Sequence, residues 1–161
     1  MLNVPYFRQN RYYTCGPVCL RMVLAYWDHE ADEVSLSMLC GTDVFGTSAK
    51  QIIGAAHSLG FEAEYKFKSR YSDLQNALKN GVPPIVAVNP NTLQQRAVRL
   101  QARHDIVLLS IVKNKILYHD PEVGQNLSIM PATFKEAWNE AQNEVILIWP
   151  VRKTSSKTSS K

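Results

Sequence analysis

The 161-residue sequence predicts an α+β domain in which N-terminal helices pack on a mostly antiparallel sheet. Two observations carry that prediction. Three helix-like segments precede the first convincing strand, and the strands that follow are short runs joined by turns rather than the regular strand–helix alternation of a parallel sheet. The chain is also long enough to bury a core without disulfides, with 45% apolar and 20% charged residues, the balance of a soluble globular protein. One domain over residues 1–150 is expected, followed by a tail over 151–161.

Taken in order, Pro5 to Thr14 reads as an extended lead-in. Gly16-Pro17 permits a helix to start, because proline in a first turn loses only an amide that would lack a partner there. Val18, Leu20, Met22, Val23, Leu24 and Trp27 make this helix apolar on most sides, the pattern of a helix buried at the centre of a domain. Asp28-His29-Glu30 ends it in solvent. Ser35 to Cys40 reads as a short helix, and Gly46-Thr47-Ser48 opens another that runs through Ile52, Ile53, Ala56 and Leu59 to a stop at Gly60. Phe61 to Phe67 alternates like a strand, Ser69 to Lys79 is helical, and Pro84 to Val88 is a short apolar strand. Asn91 to Arg103 reads as a helix carrying Arg96, Arg99 and Arg103. A strand from His104 to Val112, a turn at Lys113-Asn114 and a return from Ile116 to Asp120 make a hairpin. A strand from Leu127 to Met130, a helix from Pro131 to about Ala141 and a strand from Val145 to Trp149 close the domain.

Charge excludes one class of partner. The net charge is +4, yet Arg152, Lys153, Lys157 and Lys161 all lie in the last ten residues, and without them fourteen basic residues face fourteen acidic ones. A neutral body with a basic tail lacks the clustered surface that phosphate binding needs, so no nucleic-acid partner is expected. The tail, RKTSSKTSSK, has nothing apolar to bury and is expected to be disordered. No run is long enough to cross a bilayer and no secretion signal opens the chain, so the expected compartment is the cytoplasm. An odd count of three cysteines, Cys15, Cys19 and Cys40, argues for free thiols.

A thiol attacks only as thiolate, and an ordinary cysteine, with a pKa of about 8.5, is mostly protonated at neutral pH. Cys15, just ahead of Gly16-Pro17, stands at a helix N-terminus, where partial positive charge and unpaired amides favour the anion. Cys19 lies one turn deeper among Val18, Leu20 and Met22 and reads as packing; Cys40, before Gly41 at a helix end, reads as structural. A thiolate nucleophile also needs an imidazole to pair with it and then protonate the leaving group. His29 sits in a charged cluster at the far end of the first helix, His57 reads as a surface or satisfied residue, and His119 points to the opposite face from Asp120. His104 begins an apolar strand, where a polar ring needs a partner. The hairpin returns at Asp120-Pro121 and brings a carboxylate toward the end where His104 starts, able to hold the second ring nitrogen. Acyl transfer further needs donors aimed at the carbonyl oxygen: the Cys15 backbone amide is one candidate and the Gln9 side chain a second. Taken singly, a histidine and an aspartate at strand ends read more simply as turn residues, and Gln9 as an ordinary exposed glutamine.

Together they form a pattern. VPYFRQ followed by TCGPVCLRMVLAYW resembles the start of the C39 family of papain-like cysteine peptidases: a glutamine, five residues, then the cysteine of a CG-x-x-CL helix. LCGTDVFGTSAKQIIGAAHSLGFEAE resembles the next family segment, HDIVLLSIVKNKILYHDPEVG the histidine strand with the DP-x-x-G that closes its hairpin, and MPATFKEAWNEAQNEVILI the final helix and strand. The resemblance spans about residues 2 to 150. It implies a papain-like fold, a nucleophile at Cys15, its histidine at His104, its aspartate at Asp120 and an oxyanion glutamine at Gln9, with no cofactor and no metal. Two departures stand out: Thr14 occupies the place where an aspartate commonly precedes the cysteine, and Asn91 to Arg103 looks like an insertion. Many C39 domains are fused to peptide-exporting transporters and cut a leader peptide; this chain holds no GxxxxGK[ST] loop and no transmembrane segment, so it reads as a free-standing relative or an excised domain.

The resulting expectation is a cysteine peptidase acting on a peptide or protein, with a peptide-exporting transporter as a partner and the cytoplasmic face of the membrane as its place in that case. Three alternatives stand beside it. They are an acyltransferase or ligase using the same site, a non-catalytic peptide-binding module, and a zinc site built from Cys15, Cys19 and a histidine, the last lacking a second ligand pair at customary spacing.

Overall fold

The computed structural model describes residues 1–94 and 103–153. The elements run α1 (Cys15–Tyr26), α2 (Glu33–Cys40), α3 (Ala49–Ser58), β1 (Phe61–Lys66), α4 (Tyr71–Lys79), β2 (Ile85–Val88), α5 (Pro90–Gln94), β3 (His104–Val112), β4 (Lys115–Asp120), β5 (Gly124–Ile129), α6 (Pro131–Glu140) and β6 (Val145–Pro150). Three helices first and a sheet after them is the predicted order.

Local chemistry sets the boundaries. The α2 helix starts two residues earlier than its apolar pattern suggests, because the Asp32 side chain accepts from the Ser35 amide and caps it; Gly41, at φ 65°, ends it in the left-handed region that glycine adopts at least cost. Ser48 and Gln51 form a reciprocal capping box at the start of α3. Strand β5 begins at Gly124 rather than Leu127, since Gly124 already pairs with Asp120 while its polar residues face outward on an edge strand. The helix expected over Asn91 to Arg103 is present as α5 from Pro90 to Gln94. Residues 95–102 of that segment, with Arg96 and Arg99, lie outside the described residues, as does the tail from 154 onward, while Arg103 is described and belongs to no helix.

The six strands pair antiparallel in the order β1-β6-β2-β3-β4-β5. Alternation along the strands divides the apolar residues between two cores. Val107, Leu109, Ile85, Ile146 and Ile148 meet α1 and α3 residues such as Leu20, Met22 and Ile52 on one face. Ile106, Leu108, Val86 and Val88 meet Leu74, Phe134 and Trp138 from α4 and α6 on the other. Fully burying one such side chain stabilises by about 1.5–3 kcal/mol, so the sheet is clamped from both faces. The α1 helix packs on β3, which brings its N-terminus to the sheet end where β3 begins and β4 finishes.

Candidate active site

Cys15 is the first residue of α1, and eight of the next nine residues are buried. Thr14, at the N-cap, makes no side-chain cap, so the amides of the first turn keep their unsatisfied donors and their partial positive charge. Cys15 itself is half-buried, whereas Cys19 and Cys40 are enclosed in the core. Burial pushes the Cys19 thiol well up and the Cys40 thiol to about 11, which keeps both protonated. Among the described residues no group of three or more His, Cys, Asp or Glu side chains is placed to hold a metal ion.

His104 and Asp120 meet. The hairpin register sets His119 opposite Val107, which carries Asp120 alongside Ile106, on the same face as His104. His104 Nε2 lies 2.7 Å from Asp120 Oδ1, and the two side chains are 2% and 0% exposed. Burial works against a charged ring, but hydrogen bonds to the Asp120 and Cys15 side chains, with their charges, outweigh it and push the His104 pKa up to about 10. Burial would likewise raise the Asp120 carboxyl, yet the His104 contact and the Glu122 and Val123 amides hold it below the usual carboxylate value. Those amides donate to Oδ1 at 2.9 and 3.2 Å. Asp120 Oδ2 accepts from Gln94 Nε2 at 2.8 Å. With Nε2 facing Asp120, the ring turns Nδ1 to the thiol. His119 does point away, bonded to the Val4 carbonyl and the Asn126 amide.

Gln9 sits in a loop tied to the same corner: its backbone amide donates to the Pro121 carbonyl at 2.8 Å. Its side-chain Nε2 donates to the Arg11 carbonyl at 2.7 Å, which leaves the second amide N–H for another acceptor. A carboxylate reaches Thr14 from α2. Glu33, buried at the start of α2, accepts from the Asn10 amide at 3.0 Å, from Asn10 Nδ2 at 2.9 Å and from the Thr14 hydroxyl at 2.6 Å. It thereby joins the residue after Gln9 to the residue before Cys15.

Beside the sulfur lies a cavity of about 240 Å³ lined by Tyr13, Cys15, Phe45, Gly46, Thr47, Arg103 and Asp105. Arg103, one of the three arginines of the insertion, pairs with Glu144 at 2.7 Å. Three contributors were not singled out in the sequence. Nothing local marks Gln94 or Glu33, because their partners are distant in the chain. Asp105 did carry a signal: an acid within the apolar run HDIVLLSIV is as anomalous as the histidine before it.

Comparison with known proteins agrees with this architecture. No curated protein matches the sequence. Among solved structures, the peptidase domain of Streptococcus ComA, a bi-functional ABC transporter involved in a quorum sensing pathway, aligns with a TM-score of 0.71 at 23% identity, covering 90% of this chain and 97% of that one. A double glycine motif protease from an AMS/PCAT transporter, solved in complex with the leader peptide, gives 0.72 at 24% identity over 93% and 94%. A C39-like peptidase from Bacillus anthracis gives 0.76 at 16% identity over 95% and 98%. These likenesses establish a shared fold, that of helices on an antiparallel sheet. Residues 3–153 match the peptidase C39 family. The chain belongs to the peptidase C39 family.

Proposed function

We propose that this chain is a cysteine peptidase that hydrolyses a peptide bond, with Cys15 as nucleophile, His104 as acid and base, Asp120 as the group that orients His104, and Gln9 as an oxyanion donor. The observation that carries the reading is the enclosed 2.7 Å His104–Asp120 contact, with Cys15 bonded to the same ring from the first turn of a helix. A raised imidazole pKa keeps the ring protonated at neutral pH, which stabilises a neighbouring thiolate. The sulfur attacks the carbonyl carbon, and the electron pair of the C=O bond moves to oxygen, where the Cys15 amide and the Gln9 N–H receive it. As the tetrahedral adduct collapses, the C–N bond breaks and His104 gives its proton to the leaving amine. Water then attacks the thioester, its proton passing to His104, and the acid departs with the thiolate restored.

The double glycine motif protease among the structural neighbours was solved with a leader peptide, which makes the leader of a precursor peptide the substrate we favour. Among the described residues no helix is long and apolar enough to cross a membrane, so a transporter partner would be engaged by contact or by fusion. A digest of a peptide library by the wild type beside Cys15→Ala tests the assignment. Cleavage that disappears in the variant supports it; cleavage by both, or by neither under reducing conditions, removes it.

A further inference from the structure

Gln94 ends α5, and the fold delivers it to the site by a short path. Val88, the last residue of β2, is the register partner of His104, so the chain leaves the sheet directly opposite the imidazole. It turns onto α6, where the Asn89 amide donates to the Ala137 carbonyl at 2.8 Å and the Thr92 hydroxyl to Glu140 Oε2 at 2.6 Å. Leu93 is buried in the core that also holds Phe134 and Trp138. With Leu93 seated there, the next side chain reaches Asp120, and Gln94 Nε2 donates to Oδ2 at 2.8 Å. The reverse amide orientation would set an oxygen against a carboxylate, so chemistry fixes which end faces Asp120.

The two oxygens of Asp120 answer to different parts of the chain. Oδ1 takes the His104 ring and the Glu122 and Val123 amides, from the β3–β4 hairpin and the turn after it. Oδ2 takes Gln94, from outside the hairpin. The terminal torsion of an aspartate is broad, so contacts to one oxygen leave the carboxylate able to swing about it. A donor on the other oxygen fixes the plane, and an uncharged donor does so without placing a second cation beside the imidazolium. Asp120 is fully enclosed, where an ionised carboxylate depends on the donors it has. Resting on the peptidase reading above, we propose that Gln94 is a positioning residue: through Asp120 Oδ2 it fixes the carboxylate plane that aims Oδ1 at His104, so the segment after β2 takes part in holding the imidazole to Cys15.

Two variants test this, by kinetics on a peptide that the wild type cuts and by ¹³C NMR titration of the carboxyl groups. Gln94→Met keeps the length of the side chain and removes the donor. It is expected to lower kcat by about fivefold or more with KM within about twofold, and to raise the Asp120 midpoint by about one pH unit, because the charged form loses a hydrogen bond. Gln94→Glu restores the donor only while the introduced carboxyl keeps its proton. Beside Asp120, the pair of carboxyls should give up its second proton about one pH unit or more above the ordinary value of about 4.3. Below that step kcat should match the wild type, and above it fall to the Gln94→Met level; a side chain that only fills space would give one ratio at every pH. The titration of Gln94→Glu needs no substrate and stands even where Gln94→Met fails to fold. An introduced carboxyl that titrates at its ordinary value in folded protein, or folded Gln94→Met with wild-type kcat, overturns the proposal and leaves the peptidase reading intact. A folded wild type that cuts no peptide under reducing conditions removes the peptidase reading and this role with it.

Discussion

Replacing Asp120 with asparagine changes the charge on the His104 ring while keeping the shape of the site. The new amide oxygen can still accept from His104, Glu122 and Val123, and its N–H₂ would face Gln94, whose Oε1 is buried without a hydrogen-bond partner and would receive it after an amide flip. A hydrogen bond to a charged group contributes about 1.5–3 kcal/mol and one between neutral groups about 0.5–1.5 kcal/mol. The imidazolium therefore loses about 1–2 kcal/mol, which at about 1.4 kcal/mol per unit is about one pKa unit or somewhat more. The alkaline midpoint of His104, about 10 in the wild type, should fall accordingly. Titration of ¹⁵N-histidine protein by NMR, with His104 assigned from a His104→Gln sample, reads it directly. A midpoint that stays within a few tenths of the wild-type value, or a wild-type ring that titrates near the ordinary value of about 6.5, would refute the electrostatic account of the site.

Four further outcomes follow from the same geometry. Stability contributed by the raised His104 pKa is fully present below about pH 6.5 and is lost as pH rises through about 10; that from the lowered Asp120 pKa is present above about pH 3.9 and is lost as pH falls through its folded value. Thermal melts should accordingly decline at both ends of that window, and the Asp120→Asn variant should show a flatter profile. On any peptide the wild type cuts, Gln9→Ala should lower kcat by about 10²–10³-fold with little change in KM, the pattern of a donor used only on the developing oxyanion. Glu33→Gln places an amide N–H₂ against the donors of Asn10 and Thr14 and should cost about 1–3 kcal/mol in urea unfolding. Gly16→Ala would set its Cβ 3.1–3.2 Å from Ile52, Asp105 and Thr47, an overpacked contact expected to cost about 1–3 kcal/mol by the same measurement.

Much of the fold was legible because the apolar period changes where the structure does. The run from Val18 to Leu24 is apolar all round and becomes the helix enclosed by α3 and the sheet. The alternation in β3 separates Val107 and Leu109 from Ile106 and Leu108, one pair for each core. Boundaries were read less well where a side chain outside the apolar pattern decides them, as Asp32 does for α2. In the proposed site, Cys15, His104, Asp120 and Gln9 were named from residue type and order along the chain, and folding brings His104 against both Asp120 and Cys15. The register of β3 on β4, which makes the His104–Asp120 contact, carries irregularities at Leu108/Ser110 that spacing alone does not reveal. Glu33, Gln94 and Asp105 make their contacts only after folding, and Glu33 in particular reaches Thr14 from α2.

The last strand of the chain is not at the margin of the sheet. Because β6 lies between β1 and β2, it is the keystone through which the Phe61–Lys66 ribbon is held to the rest. Ribosomal synthesis delivers this piece after Cys15, His104 and Asp120 have already emerged, so the proposed site is complete in composition before the sheet around it is complete in architecture. Trimming from residue 145 onward would therefore act at the middle of the sheet, parting the Phe61–Lys66 ribbon from the strands that carry His104 and Asp120.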